Sequence, residues 1–130
     1  MKVYQTREFC RLARKQRIGD SSLKAAIERA ESGLVDAQIG RFLIKQRVAR
    51  PNEGRSGGYR AILFFRQRDR AVFLHLFAKN DKANLTGPEL AAYRKFAKQL
   101  SDLGADHIKR LVDEGKWIEI EYEDDEKEVP

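Results

Sequence analysis

GRSGGYRAILFFRQRDRAVFLHLFAKNDKANL, residues 54–85, decides the fold. It reads as a glycine-rich turn, a strand over 59–65, a polar turn over 67–70, a second strand over 71–78 and a cationic exit. Gly57 and Gly58 supply backbone freedom ahead of the first strand, because glycine carries no Cβ. Along the second strand, Val72, Leu74 and Leu76 are expected on one face and Phe73, His75 and Phe77 on the other. Both sets are largely apolar, which predicts a central hairpin covered on both sides. Arg55, Arg60, Lys79 and Lys82 bracket the two strands, so cations gather near the ends of a rigid sheet.

Upstream, residues 2–5 form a candidate edge strand and 6–16 a helix, with Phe9, Leu12 and Ala13 at helical spacing on its inner face. Arg7, Arg11 and Arg14 line one side of that helix, where like charges repel unless an anion or solvent compensates. Residues 19–22 break the helix, and Ser21 or Ser22 is placed to cap a second one over 22–31. Leu23, Ala26, Ile27 and Ala30 are its buried stripe, and Gly33 is its terminating glycine. Residues 34–40 read as a connection anchored by Leu34, Val35 and Ile39. RFLIKQRV, residues 41–48, is a third strand with Phe42, Ile44 and Gln46 on one face and Leu43, Lys45 and Arg47 on the other. Lys45 and Arg47 therefore point the same way from an element otherwise suited to a sheet interior. A polar loop over 51–58 leads into the hairpin.

Downstream, Thr86 caps a helix over 88–103, with Leu90, Tyr93, Ala97 and Leu100 along one face and Gly104 at its end. A short helix over 106–114 and a terminal strand in KWIEIEYE follow. The fold class is α+β: two N-terminal helices packed on a mainly antiparallel sheet, with further helices at the C-terminal end. One domain is expected over 1–122. EDDEKEVP, residues 123–130, is a charged tail that buries too little to order itself.

The net charge of +6 conceals an asymmetry. Residues 113–130 hold nine acidic and two basic side chains, a net of −7, while the 112 residues before them hold 24 basic and 11 acidic, a net of +13. A body that basic points to a polyanion, of which nucleic acid is the commonest. No run of 18 apolar residues and no apolar leader core is present, so the expected location is the cytoplasm and no membrane partner is expected. Cys10 is the single cysteine. It reads as small core filler, since one cysteine makes no intramolecular disulfide. No metal and no cofactor are expected, because the basic core shows no carboxylate cluster suited to a hard cation. Of the two histidines, His75 lies in an apolar strand and reads as structural, and His107 falls in the C-terminal part.

VYQTREFCRLAR, AIERAESGLVDAQIG, LIKQRVARPNEGRSGGYRAILFF and LFAKNDKANL together resemble the RelE/ParE superfamily of toxin–antitoxin toxins. More narrowly they are similar to a RelE-like, HigB-like subgroup encoded beside helix-turn-helix antitoxins. The resemblance covers residues 1–103, and SGGYR followed by FAKNDKANL is its most specific part. It implies a metal-independent, ribosome-dependent mRNA endonuclease held inactive by a cognate antitoxin, with DNA contacted only through the antitoxin complex. Carried over by motif, Lys45 and Arg47 match the paired basic positions before the glycine segment, one as base and one stabilising charge. Arg60 matches the phosphate-clamping arginine, Lys79 follows the hairpin, and Lys82 matches a cation that assists the leaving group. Arg50, Arg55, Tyr59 and Arg66, with Arg7, Arg11 and Arg14, complete the expected RNA- and ribosome-contacting set. The family's substrate-stacking tyrosine is replaced here by Thr86, with Tyr59 and Tyr93 as possible substitutes. The alternatives are a ParE-like inhibitor of DNA gyrase and a non-catalytic toxin-like binding protein or co-repressor, since fold does not fix function.

Overall fold

The computed structural model describes residues 1–50, 54–78 and 85–122, without the side chains of 54–57. Four helices and six strands follow one another as β1 (Lys2–Thr6), α1 (Arg7–Lys15), α2 (Asp20–Glu31), β2 (Ala37–Gly40), β3 (Leu43–Arg50), β4 (Gly54–Arg66), β5 (Arg70–Ala78), α3 (Gly87–Ser101), α4 (Ala105–Asp113) and β6 (Trp117–Ile120). The architecture is α+β. One six-stranded sheet runs β2-β3-β4-β5-β1-β6, antiparallel throughout except for the parallel β5–β1 pair.

The central hairpin is β4–β5, and its two apolar faces feed two cores. Ile44, Val48, Ala61, Leu63, Phe65, Phe73 and Leu76 pack with Phe9 and Ala13 of α1 and Leu23, Ala26, Ile27 and Ala30 of α2. Leu43, Ile62, Phe64, Val72 and Leu74 pack with Ala97 and Leu100 of α3, Ile108 of α4 and Trp117 of β6. The expectation of cover on both sides holds. Phe9 and Phe73 stack at 5.0 Å between ring centroids in the first core.

Five local expectations are corrected. β1 is not an edge strand: it lies between β5 and β6, with Val3 opposite Ala71 on one side and Ile120 on the other. The stretch read as a connection contains β2, which is the sheet edge beside β3. The polar loop ends early, because β4 begins at Gly54 and Arg50 already pairs with it. Phe42 leaves the face of Ile44, since its backbone takes a positive φ of 57° and turns the ring into the second core against Phe64. The alternation along β5 breaks at a bulge, where Ile62 faces His75 but Leu63 faces Phe73. Two residues of β5 oppose one step of β4 there, so Leu74 and His75 fall on the same side and Leu76 joins Phe73 in the first core.

Helix ends follow sequence chemistry. Thr6 caps α1 by accepting from Phe9 N–H at 3.1 Å. The residue capping the start of α2 is Gly19 rather than a serine, and Ser21 and Ser22 lie within its first turn. Its C-terminus is closed by Gly33 at φ 88°, with Leu34 N–H donating to Arg29 O at 2.8 Å and Gly33 N–H to Ala30 O at 3.1 Å, the pattern of a left-handed glycine stop. Thr86 and Glu89 form a reciprocal capping box on α3, while Gly104 caps the start of α4 instead of ending α3. Arg70, only 8% exposed, donates to the carbonyls of Leu100, Ser101 and Leu103 at 2.7, 3.3 and 3.1 Å and satisfies the end of α3.

Candidate functional site

The strand register assembles the site. Arg47 pairs with Arg60 across β3–β4, and Arg60 pairs with Phe77 across β4–β5. One step along, Lys45 pairs with Ile62 and Ile62 with His75. Residues opposite one another share a face, so these six side chains form two rows on the face that α3 and α4 cover. The cover thins here. Leu43 and Phe64 lie fully buried beneath it, whereas Lys45, Arg60, His75 and Phe77 are half-buried and Arg47 is exposed. The result is an apolar floor of Ile62 and Phe77 rimmed by cations on β3 and β4 and by an imidazole on β5.

Lys45 and Arg60 make no ion pair among the described residues, and Arg60 donates only a long contact of 3.5 Å to Tyr59 O. Arg47 differs. Asp36, just before β2, accepts from Arg47 N–H at 2.6 Å and from its Nε at 3.1 Å. The same carboxylate accepts from Arg29 of α2 at 2.9 Å, and Arg29 also donates to Arg47 O at 3.2 Å. Burial pushes the Asp36 carboxyl up, but hydrogen bonds from Arg47 and the charges of Arg29 and Arg47 outweigh it and hold its pKa below the ordinary carboxylate value. Gln46, fully buried, fixes the corner: its Oε1 accepts from Asp36 N–H at 2.9 Å and its Nε2 donates to Ala26 O and Leu34 O at 3.1 and 3.0 Å.

The far rim belongs to α3. The His75 ring lies 6.0 Å from Phe77 and 6.2 Å from Tyr93, centroid to centroid. Burial raises the Tyr93 hydroxyl pKa, with Glu89 and Glu8 adding to it. Glu89 is drawn down by the Thr86 backbone N–H and hydroxyl, and the charge of His75 acts in the same direction. The Thr86 hydroxyl is engaged in the cap, accepting from Glu89 N–H at 3.2 Å.

The remaining predicted residues do not converge on this face. Tyr59 packs against the first core, its hydroxyl bonded to Gln16 and 3.3 Å from Arg50 Nη1, with the Arg50 guanidinium 5.8 Å over its ring. Tyr93 shares the cationic face and Tyr59 does not. Arg66 stands at the other end of β4, opposite Arg70, bonded to Asp69 and to Ser101 O and Oγ at 3.2 and 3.0 Å. Its guanidinium also lies over Phe42. Arg7, Arg11 and Arg14 are exposed on α1, beyond the opposite sheet face. Lys79, Lys82 and the Arg55 side chain lie outside the described residues, as does the predicted tail 123–130.

Sequence reasoning missed Asp36, Glu89 and the placement of His75. The Asp36 contact depends on an edge strand too short to show a period, and His75 changes company only because of the bulge. Among the described residues, no three His, Cys, Asp or Glu side chains gather as a metal-binding group, and no helix is long and apolar enough to cross a membrane.

No curated relative matches the chain. Residues 1–120, however, match the family model described as the RelE toxin of the RelE / RelB toxin-antitoxin system. That match spans the whole sheet, both cores and both rows of the site, and the chain belongs to this family of toxin–antitoxin toxins.

Proposed function

We propose that this toxin is a metal-independent, ribosome-dependent mRNA endonuclease that stops translation and is restrained by a cognate antitoxin, as the HigB-like subgroup with helix-turn-helix antitoxins would be. One observation carries the reading. Lys45 and Arg60 stand on one sheet face beside Ile62, with no acid paired to either among the described residues. Cleavage by the 2′-hydroxyl places extra negative charge on the phosphate as it becomes five-coordinate. Fixed cations at that point stabilise the transition state more than the ground state. Arg60 serves as the phosphate clamp and Lys45 as its neighbour, while Arg47 reaches the phosphate only by sharing its charge with Asp36. Lys79 and Lys82 complete the cationic set. Arg50, Arg55 and Arg66 are secondary contacts, and Arg7, Arg11 and Arg14 contact ribosomal RNA from the other side.

The gyrase-inhibitor reading gives the paired cations of the sheet face no chemical task, and a non-catalytic co-repressor leaves them equally idle. The experiment adds the protein to translating ribosomes on a defined mRNA and maps the new 5′ ends, with Arg60→Ala alongside. Cleavage at ribosomal positions is expected, reduced by roughly 100-fold or more in Arg60→Ala, in line with the loss of one preorganised charge partner. Intact mRNA with wild-type protein would reject the reading, and a supercoiling assay with gyrase would follow.

A further inference from the structure

RNA cleavage through the 2′-hydroxyl needs a group that accepts a proton. A guanidinium carries no free lone pair, so Arg47 and Arg60 do not supply one. Neutral imidazole does, and histidine is the side chain whose ordinary pKa lies nearest neutrality. The β5 bulge turns His75 onto the site face, in line with Ile62 and Lys45. Two strand spacings, about 10 Å, separate the Cα atoms of Lys45 and His75. That gap, floored by Ile62, matches a scissile phosphate held between a cation on one side and a base on the other. The ring is half-buried, so solvent and substrate reach it, and the Phe77 and Tyr93 rings limit its orientation. The charged and titratable groups around it are Glu89 and Tyr93 on α3, Lys45 on β3 and Arg60 on β4, with Glu8 at the start of α1 acting on Tyr93.

Resting on the endonuclease reading above, we infer that His75 is the general base of the cleavage and that Tyr93 and Phe77 position its ring. Its free ring nitrogen takes the proton of the 2′-hydroxyl as the O2′–P bond forms. The P–O5′ bond breaks, and the 5′-oxygen leaves with a proton taken from solvent. The products are a 2′,3′-cyclic phosphate and a 5′-hydroxyl, and the imidazolium returns its proton to solvent.

The test is single-turnover cleavage on programmed ribosomes from about pH 5.5 to about pH 8, for wild type and His75→Gln, with ribosome binding and thermal unfolding measured in parallel. Wild type is expected to lose rate tenfold per pH unit on the acid side as the base protonates. His75→Gln should cleave at least 100-fold more slowly at about pH 7.5, bind within threefold of wild type and show no such acid limb. A His75→Gln rate within threefold of wild type, or a rate loss matched by weaker binding, overturns the assignment. Should the variant fail to fold, the wild-type profile decides alone, since a flat profile removes the imidazole. Wild-type protein that leaves mRNA intact fails the endonuclease reading itself, whereas cleavage that ignores His75 fails only this inference.

Discussion

Asp36 is one carboxylate serving two guanidiniums, and this decides what Arg47 can do. Replacing it with asparagine keeps the shape while removing the charge, which frees Arg47 and leaves Arg29 without its anion. We expect Asp36→Asn to cost about 1–3 kcal/mol of stability at neutral pH, read by urea unfolding. Because the folded-state pKa of Asp36 lies below its unfolded value, its contribution is complete above about pH 5 and is lost as pH falls through the folded pKa. The gap between wild type and Asp36→Asn should therefore narrow as pH falls below about 5. Gln46→Leu is expected to be worse than its volume suggests, at about 2–4 kcal/mol, since Asp36 N–H, Ala26 O and Leu34 O would all lose a partner. Lys45, Arg47 and Gln46 were legible as residues: strict alternation on a polar-marked strand gave their faces correctly. Their partners were not, because hydrogen bonds across 10 to 20 residues of chain leave no mark in local periodicity.

Helix boundaries were the most readable elements, for they are written in single residues with local chemistry. Gly33 at φ 88° has open space where a Cβ would sit, so Gly33→Ala meets only backbone strain. About 1–2 kcal/mol is expected, and a thermal scan would show it. Thr86→Ala should cost about 1 kcal/mol by removing the capping box of α3. The same change loosens the start of the helix that carries Tyr93 and Glu89, so cleavage should fall with it. Strands were harder. β2 has four residues, half of them glycine or glutamine, and pairs through an irregular register with β3. The bulge in β5 is set by how β4 and β5 align, and both faces of β5 are apolar, so period alone could not reveal the slip that moves His75.

At the scale of the molecule, the cations divide between two sides of one sheet. Lys45, Arg47 and Arg60 rim one face, and Arg7, Arg11 and Arg14 stand beyond the helices on the other. Total charge predicted a polyanion but could not show this division, which needs the sheet between them. A triple variant, Arg7→Gln with Arg11→Gln and Arg14→Gln, should flatten the salt dependence of ribosome binding. The slope of log K against log salt should fall by about 2, at about 0.7 for each phosphate no longer neutralised. An unchanged slope would show that α1 faces water alone. The strand order has one more effect, on timing. β1 is the first strand in the chain, yet its neighbours are β5 and β6, with Lys2 aligned to Arg70 and Val3 to Ile120. As the chain is synthesised, β1 has no partner until β5 emerges and stays open on its other side until β6 follows. The β3–β4–β5 meander bearing both rows of the site is local and can close first. This toxin therefore acquires its cationic face before its sheet is complete, and during that interval an antitoxin already in the cell has its earliest opportunity to bind.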